Sequence, residues 1–199
     1  MIAIVDYGAG NLNSVKKAFS WLGSTVAVTS QPEVVARAGK IVLPGVGHFS
    51  ALAGLARTSL ADTLLDGIRS GKPFLGICLG MQWLFQGSNE ATETPGAGIF
   101  PGICKKFPQT VKSPHVGWNN LVTSPGSRLL GALPKNAFVY YTHSFYAPVI
   151  EATTAESEYG PRFSAVVEQD SVFGVQFHPE KSGDAGLSIL RTFCELESC

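Results

Sequence analysis

The chain has 199 residues, 45% of them hydrophobic, enough to bury a full core as one domain over residues 1–199. Its 15 basic side chains balance 15 acidic ones, with no run of lysine or arginine, so nothing proposes nucleic acid or an anionic membrane as partner. Met1-Ile2-Ala3-Ile4-Val5-Asp6 has no basic leader and reaches an aspartate too early for a signal peptide; no stretch is long enough to span a bilayer, and a cytoplasmic protein is expected.

In chain order, Ile2 to Val5 reads as a strand and Ser14 to Leu22 as a helix with Val15, Ala18, Phe19 and Leu22 on one face and Gly23 as its stop. Thr25 to Val28 is the next strand, Pro32 opens a short helix, Lys40 to Leu43 is a strand, a helix ends near Ser70 before Gly71, and Pro73 to Ile77 is a strand again. Short buried strands separated by helices imply a parallel sheet covered on both faces. From Pro95 the texture changes. Turn residues and short alternating runs around Ile99 to Phe107, Val116 to Val122, Ala137 to Tyr146, Phe163 to Glu168 and Val172 to Phe177 suggest partly antiparallel strands, before a last helix from about Asp184. The expected fold is α/β: a three-layer αβα sandwich around a mostly parallel sheet with some antiparallel strands.

Two segments carry chemistry. Phe74-Leu75-Gly76-Ile77 runs into Cys78 and then Leu79-Gly80-Met81-Gln82, which places a cysteine on a sharp strand-to-helix turn where two glycines relieve crowding. A sulfur at a helix N-terminus and beside an imidazole is favoured as thiolate. His178, in Gly174-Val175-Gln176-Phe177-His178-Pro179-Glu180, can be that imidazole; Glu180, two residues on in an extended segment, points the same way and can orient the ring. His143 is a rival base with no nearby carboxylate, and His48 and His115 read as surface or turn residues. Cys104 falls in a turn-rich region, Cys194 shares a helical face with Leu187 and Leu190, and Cys199 ends the chain. Without zinc-like spacing, these cysteines read as reduced thiols and no metal is expected.

Gly76 to Gln82 together with Phe177 to Glu180 resembles the triad-type, class I glutamine amidotransferases, in which a cysteine takes ammonia from glutamine for a synthase partner. Tyr7-Gly8-Ala9-Gly10-Asn11-Leu12, Leu43-Pro44-Gly45-Val46-Gly47, Pro114-His115-Val116-Gly117-Trp118-Asn119 and Tyr141-Thr142-His143-Ser144 narrow the likeness to the glutaminase subunits of imidazole glycerol phosphate synthases. Val116 departs from the methionine of many relatives, an exchange of one apolar filler for another. The resemblance implies a flavodoxin-like fold and catalysis by Cys78, His178 and Glu180. It makes the N–H of Leu79 one oxyanion donor and that of Val46 or Gly47 the second, the glycines around Val46 making a peptide reorientation cheap. It gives glutamine binding to Gln82, Glu90, Thr142, His143 and Ser144, and partner contact to Asn11, Lys181 and Trp118, the last expected in a glycine-bounded turn. It implies no cofactor, and a heterodimer with a (β/α)8-barrel cyclase subunit that consumes the ammonia. Two alternatives stay open: the glutaminase subunit of pyridoxal 5′-phosphate synthase, and a non-catalytic, cysteine-bearing interaction protein on the same kind of sheet.

Overall fold

A computed structural model describes residues 1–56 and 58–197; Cys199 lies outside the described residues. The first strand, β1 (Ile2–Val5), is buried along its whole length, as an apolar strand covered on both faces must be. Helix α1 (Leu12–Trp21) starts earlier than its pattern predicts, directly after Asn11, and Gly23 at φ +80° turns the chain back. Then come β2 (Val26–Thr29), α2 (Pro32–Arg37) with proline in its first turn, and β3 (Lys40–Gly45). A 3₁₀ turn (Phe49–Leu52) leads through α3 (Ala53–Ala56) to α4 (Ser59–Arg69), β4 (Phe74–Cys78) and α5 (Leu79–Trp83). The second half gives β5 (Gly87–Ser88), β6 (Ile103–Lys106), β7 (His115–Asn120), β8 (Val122–Thr123), β9 (Phe138–His143) and β10 (Phe145–Tyr146). It closes with β11 (Thr153–Glu158), β12 (Arg162–Gln169), β13 (Val172–Val175), a 3₁₀ turn (Pro179–Lys181) and α6 (Gly183–Glu195).

Eight strands form the main sheet in the order β2-β1-β3-β4-β13-β12-β11-β8. The five from β2 to β13 are mutually parallel, and β12, β11 and β8 add antiparallel to that edge. Alternation across the pleat divides the core in two. Ile2, Ile4, Leu75 and Ile77 meet Phe19 of α1 and Phe193 of α6 on one face; Ala3, Val5 and Phe74 meet Val35 of α2, Leu64 of α4 and Trp83 of α5 on the other. Phe19 and Phe193 pack edge to face at 6.2 Å, an arrangement worth about 0.5–1.5 kcal/mol beyond the area it buries.

Strand β11 is absent from the sequence reading because Thr-Thr-Ala-Glu-Ser-Glu has no apolar alternation. Its inward positions are Ala155 and Ser157. Ser157 is tolerated there because its hydroxyl donates to Asn120 O at 2.6 Å and pairs with the Tyr141 hydroxyl at 2.8 Å. Trp118 lies within β7, opposite Tyr140 of β9, and not in a turn: the strand continues through Gly117, whose missing side chain does not end the pairing. Cys104 is wholly buried on β6, and the half-buried Cys194 sulfur accepts from the Ser24 hydroxyl at 3.2 Å.

Candidate active site

The carboxyl ends of β1, β3, β4 and β13 meet at one edge, where an open parallel sheet places its ligands. Cys78 ends β4 with φ 52° and ψ −105°. The other described non-glycine residues at positive φ are Asn136 and Asp170, types that tolerate that region; a cysteine does not, and the strain marks a sharp elbow. Glycines make it buildable. A Cβ at Gly76 would stand 2.5 Å from Gly80 O, and one at Gly45, which pairs with Cys78, would stand 2.2 Å from the Tyr7 hydroxyl.

Parallel pairing of Val175 with Ile77 carries the chain after β13 past Cys78, and His178 N–H then donates to Tyr140 O at 2.9 Å. His178 Nδ1 meets Glu180 Oε1 at 2.9 Å, both side chains almost fully buried. The two meet through the 3₁₀ turn of Pro179–Lys181 and not through the extended run the sequence suggested. Proline fixes the φ that begins the turn, and the Ser182 hydroxyl closes it by donating to His178 O at 2.7 Å. Burial works against an imidazolium here, but the neighbouring Cys78 and then Glu180 outweigh it, and the His178 pKa is raised to about 10. Among the described residues Nε2 has no hydrogen-bond partner, which leaves it free to carry a proton to and from a substrate.

Beside Cys78 lies a cavity of about 300 Å³, at the small end of ligand pockets. Gly47, Leu79, Gln82, Glu90, Thr142, His143 and Ser144 all line it. Val46 does not; it is 37% exposed, next to Gly45, which lies opposite Cys78. Glu90 is partly engaged, its Oε2 accepting from Phe49 N–H at 2.8 Å. His143 is not a base. Its Nδ1–H donates to Phe145 O at 2.8 Å, which leaves Nε2 to accept from His115 Nδ1 at 3.2 Å, and burial pushes its pKa down to about 3. His115 is likewise not at the surface: it is buried, stacked on Tyr159 at 4.0 Å, and desolvation lowers it to about 4. Its β7 position alternates inward with the Tyr141 and His143 side of β9, which overrides the polar appearance of the segment. His48 is exposed and caps the 3₁₀ turn after β3, its Nδ1 accepting from Ser50 N–H at 3.2 Å.

Two residues without a role in the sequence reading touch this site. Gln176 is fully buried with its Nε2 3.6 Å from Cys78 Sγ; the signal was a polar residue between Val175 and Phe177 in a buried run. The Tyr7 hydroxyl is buried at Gly45 and Leu79 without a partner among the described residues, and its pKa is raised by burial and by Cys78.

A second surface adjoins the first. On the outer face of β7 and β9, Val116, Trp118, Phe138 and Tyr140 form an apolar strip, with Trp118 56% exposed and edge-on to Tyr140. Lys181 Nζ stands 5.9 Å from the Tyr140 ring. Asn11, half-buried at the start of α1, joins this neighbourhood because α1 packs against the Pro179–Lys181 turn. Among the described residues no group of three His, Cys, Asp or Glu side chains is placed to hold a metal ion, and no helix is long and apolar enough to cross a membrane.

A cysteine on a strained strand-to-helix elbow, faced by a buried His–Glu pair at the end of a parallel sheet, defines an α/β enzyme of the cysteine-nucleophile class. The chain belongs to the class-I glutamine amidotransferase family, whose model matches residues 3–196. It is 46% identical over 198 residues to imidazole glycerol phosphate synthase subunit HisH of Methanothermobacter thermautotrophicus, covering 98% of each chain. To the protein of the same description from Caldanaerobacter subterraneus it is 44% identical over 202 residues, covering 100% of each. Among solved structures, a crystal structure of a glutamine amidotransferase superposes with TM-score 0.76 at 19% identity, covering 98% of both chains. The structure of PurLQS from Thermotoga maritima gives 0.69 at 19%, covering 98% of this chain and 97% of that one. The two superpositions carry the fold.

Proposed function

We propose that residues 1–199 act as a single domain, the glutaminase subunit of an imidazole glycerol phosphate synthase in histidine biosynthesis. The observation that carries this reading is the buried His178–Glu180 pair set against Cys78 at the wall of a cavity of about 300 Å³. The Cys78 thiolate attacks the carboxamide carbon of L-glutamine, and backbone N–H groups of Leu79 and of Val46 or Gly47 take the oxyanion. His178, held protonated, gives its proton to the departing nitrogen, and ammonia leaves a thioester. Neutral His178 then takes a proton from water; the hydroxide releases glutamate and regenerates the thiolate–imidazolium pair. Glu180 holds the ring through Nδ1. Gln82, Glu90 and the Thr142-His143-Ser144 segment hold the amino-acid end of the substrate. No step calls for a metal or cofactor.

Ammonia in bulk water is protonated and lost, so the product passes directly to a cyclase subunit, a (β/α)8 barrel, that docks on Trp118, Lys181 and Asn11. The exposed apolar strip of β7 and β9 supports this, since such patches on otherwise polar surfaces mark interaction sites. The heterodimer works in the cytoplasm.

The test is a glutaminase assay of the purified chain alone, with the cyclase and its nucleotide ligand, and with the barrel of pyridoxal 5′-phosphate synthase. Activity should rise with the cyclase only and vanish in Cys78→Ala, while synthesis from ammonium salts persists. Stimulation by the other barrel, or turnover by Cys78→Ala, would overturn the reading.

A further inference from the structure

Gln176 takes no part in the scheme above, yet its side-chain amide is fully buried and reaches the nucleophile. It is the third member of a series. Gln82 Nε2 lies 2.9 Å from Phe145 O and 3.1 Å from Gln176 Oε1, and Gln176 Nε2 lies 3.6 Å from Cys78 Sγ. The direction of each amide follows from the first partner. A carbonyl oxygen can only accept, so Gln82 must turn its NH2 to Phe145. The second hydrogen of that NH2 then requires an acceptor from Gln176, which fixes the carbonyl end of Gln176 there. The NH2 end of Gln176 is left facing the sulfur. His143 Nδ1–H donates to the same Phe145 oxygen at 2.8 Å, so both lone pairs of the carbonyl are in use.

We propose that Gln176 is a positioning residue whose NH2, locked in direction by Gln82 and Phe145 O, holds the Cys78 thiolate and ties the nucleophile to the glutamine-binding wall as one hydrogen-bonded unit. A thiol sulfur accepts weakly and a thiolate strongly, so a donor that cannot give up its proton favours the charged form without competing for it. Parallel pairing of β13 with β4 supplies the register: Gln176 follows Val175, the partner of Ile77, and so comes level with Cys78. Two neighbours then act on the sulfur, His178 by its charge and Gln176 through its NH2.

The inference rests on Cys78 being the glutamine-attacking nucleophile, and its test separates the two. The titratable groups facing Cys78 are Tyr7 after β1, His178 after β13 with Glu180 behind it, and, across the cavity, Glu90 and His143 of β9; the substitutions leave all five in place. In the complex with the barrel, Gln176→Met keeps size and neutrality but removes the donor, and Gln82→Met removes the lock without touching sulfur. Iodoacetamide modification of Cys78 is followed against pH by peptide mass mapping, beside kcat and KM for glutamine, with thermal unfolding as the check on folding. A hydrogen bond to a charged group, taken at the weak end of its range, is worth about tenfold. Gln176→Met should therefore raise the alkylation inflection by about one pH unit and lower kcat about tenfold, with KM changed less than about twofold. Gln82→Met should move the inflection in the same direction, and the double variant should move it no further than either single one. An unchanged inflection in either variant overturns the proposal; where Gln176→Met does not fold, Gln82→Met alone decides. A wild-type complex that hydrolyses no glutamine would instead refute the nucleophile, whatever the alkylation profiles show.

Discussion

Alanine in place of Gly80 should disable catalysis without touching a catalytic group. A Cβ there would stand 1.8 Å from the carbonyl oxygen of Leu43 and 2.8 Å from its carbon, both backbone atoms of β3. Side-chain carbons do not approach closer than 3.0 Å, so the oxygen and the new carbon must part by the difference, about 1.2 Å. The displaced elements are α5, which begins with Leu79, and β3, which leads into Val46 and Gly47. The two segments proposed to donate to the oxyanion therefore move apart by roughly the distance that costs about 10²-fold when catalytic geometry is disturbed. Overpacking of this kind also costs about 1–3 kcal/mol of stability, or roughly 2–12 °C of Tm for a chain of this size. The assay is glutaminase kcat in the complex with the cyclase and its ligand, paired with differential scanning calorimetry. Gly54→Ala is the comparison, since a Cβ there meets nothing within 4 Å; it should match wild type in kcat and equal or slightly exceed it in Tm, because alanine restricts the unfolded chain. A Gly80→Ala protein with kcat within about threefold of wild type would show that the elbow tolerates the shift, and the geometric account of the oxyanion site would fail.

Glu180→Gln should retain measurable turnover while His178→Ala approaches the loss expected of Cys78→Ala, since in the proposed scheme Glu180, bonded to Nδ1, orients the ring and His178 carries the proton; equally mild effects at both positions would unseat His178 as base. Stability should peak near pH 6.5. Folded His178 keeps its proton to about pH 10 while the unfolded chain loses it near 6.5, so its contribution, full below 6.5, is lost as pH rises through that window. His115 and His143, depressed to about 4 and 3, contribute fully above 6.5 and lose that contribution as pH falls. Urea unfolding from pH 3 to 10 reads both limbs, and His178→Gln should flatten the alkaline limb between about pH 6.5 and 9, leaving the loss above 9 that the buried Cys104 thiol contributes; an unchanged limb below 9 contradicts the assignment. Trp118→Ala should weaken cyclase binding at least tenfold in titration calorimetry, as loss of a central interface aromatic does, whereas Lys181→Ala should chiefly lower product formed per glutamine consumed. Unchanged affinity and unchanged ratio would place the interface elsewhere.

The parallel half of the sheet was legible because strands such as Phe74–Cys78 are buried on both faces and read as unbroken apolar runs punctuated by glycine. The places of Cys78 and His178 at the ends of β4 and β13 were legible for the same reason, each following such a run, and Glu180 was marked by its spacing from His178. Strand β11 was not, since its inward serine is satisfied only by a tyrosine and a carbonyl from β9 and β7, partners that no local pattern announces. The 3₁₀ turn after His178 and the inward face of His115 also depend on contacts with distant strands. Gln176 stood in plain view near His178, but its contact with Cys78 depends on the direction of two amides, and direction is fixed by hydrogen-bond partners and not by spacing.

Strand β13, the last of the main sheet in sequence, lies at its middle in space, between β4 and β12. The chain therefore cannot complete its sheet by adding strands outward from its first half; a gap beside β4 stays open until almost all of the sequence has been made. At about 5–20 residues per second of synthesis, the roughly one hundred residues separating Cys78 from His178 delay that strand by some 5–20 s. During this interval Cys78 lacks the imidazole that pairs with it and the amide that reaches it. The nascent protein holds this cysteine without its neighbours, and the site is assembled only as the final strand slots home.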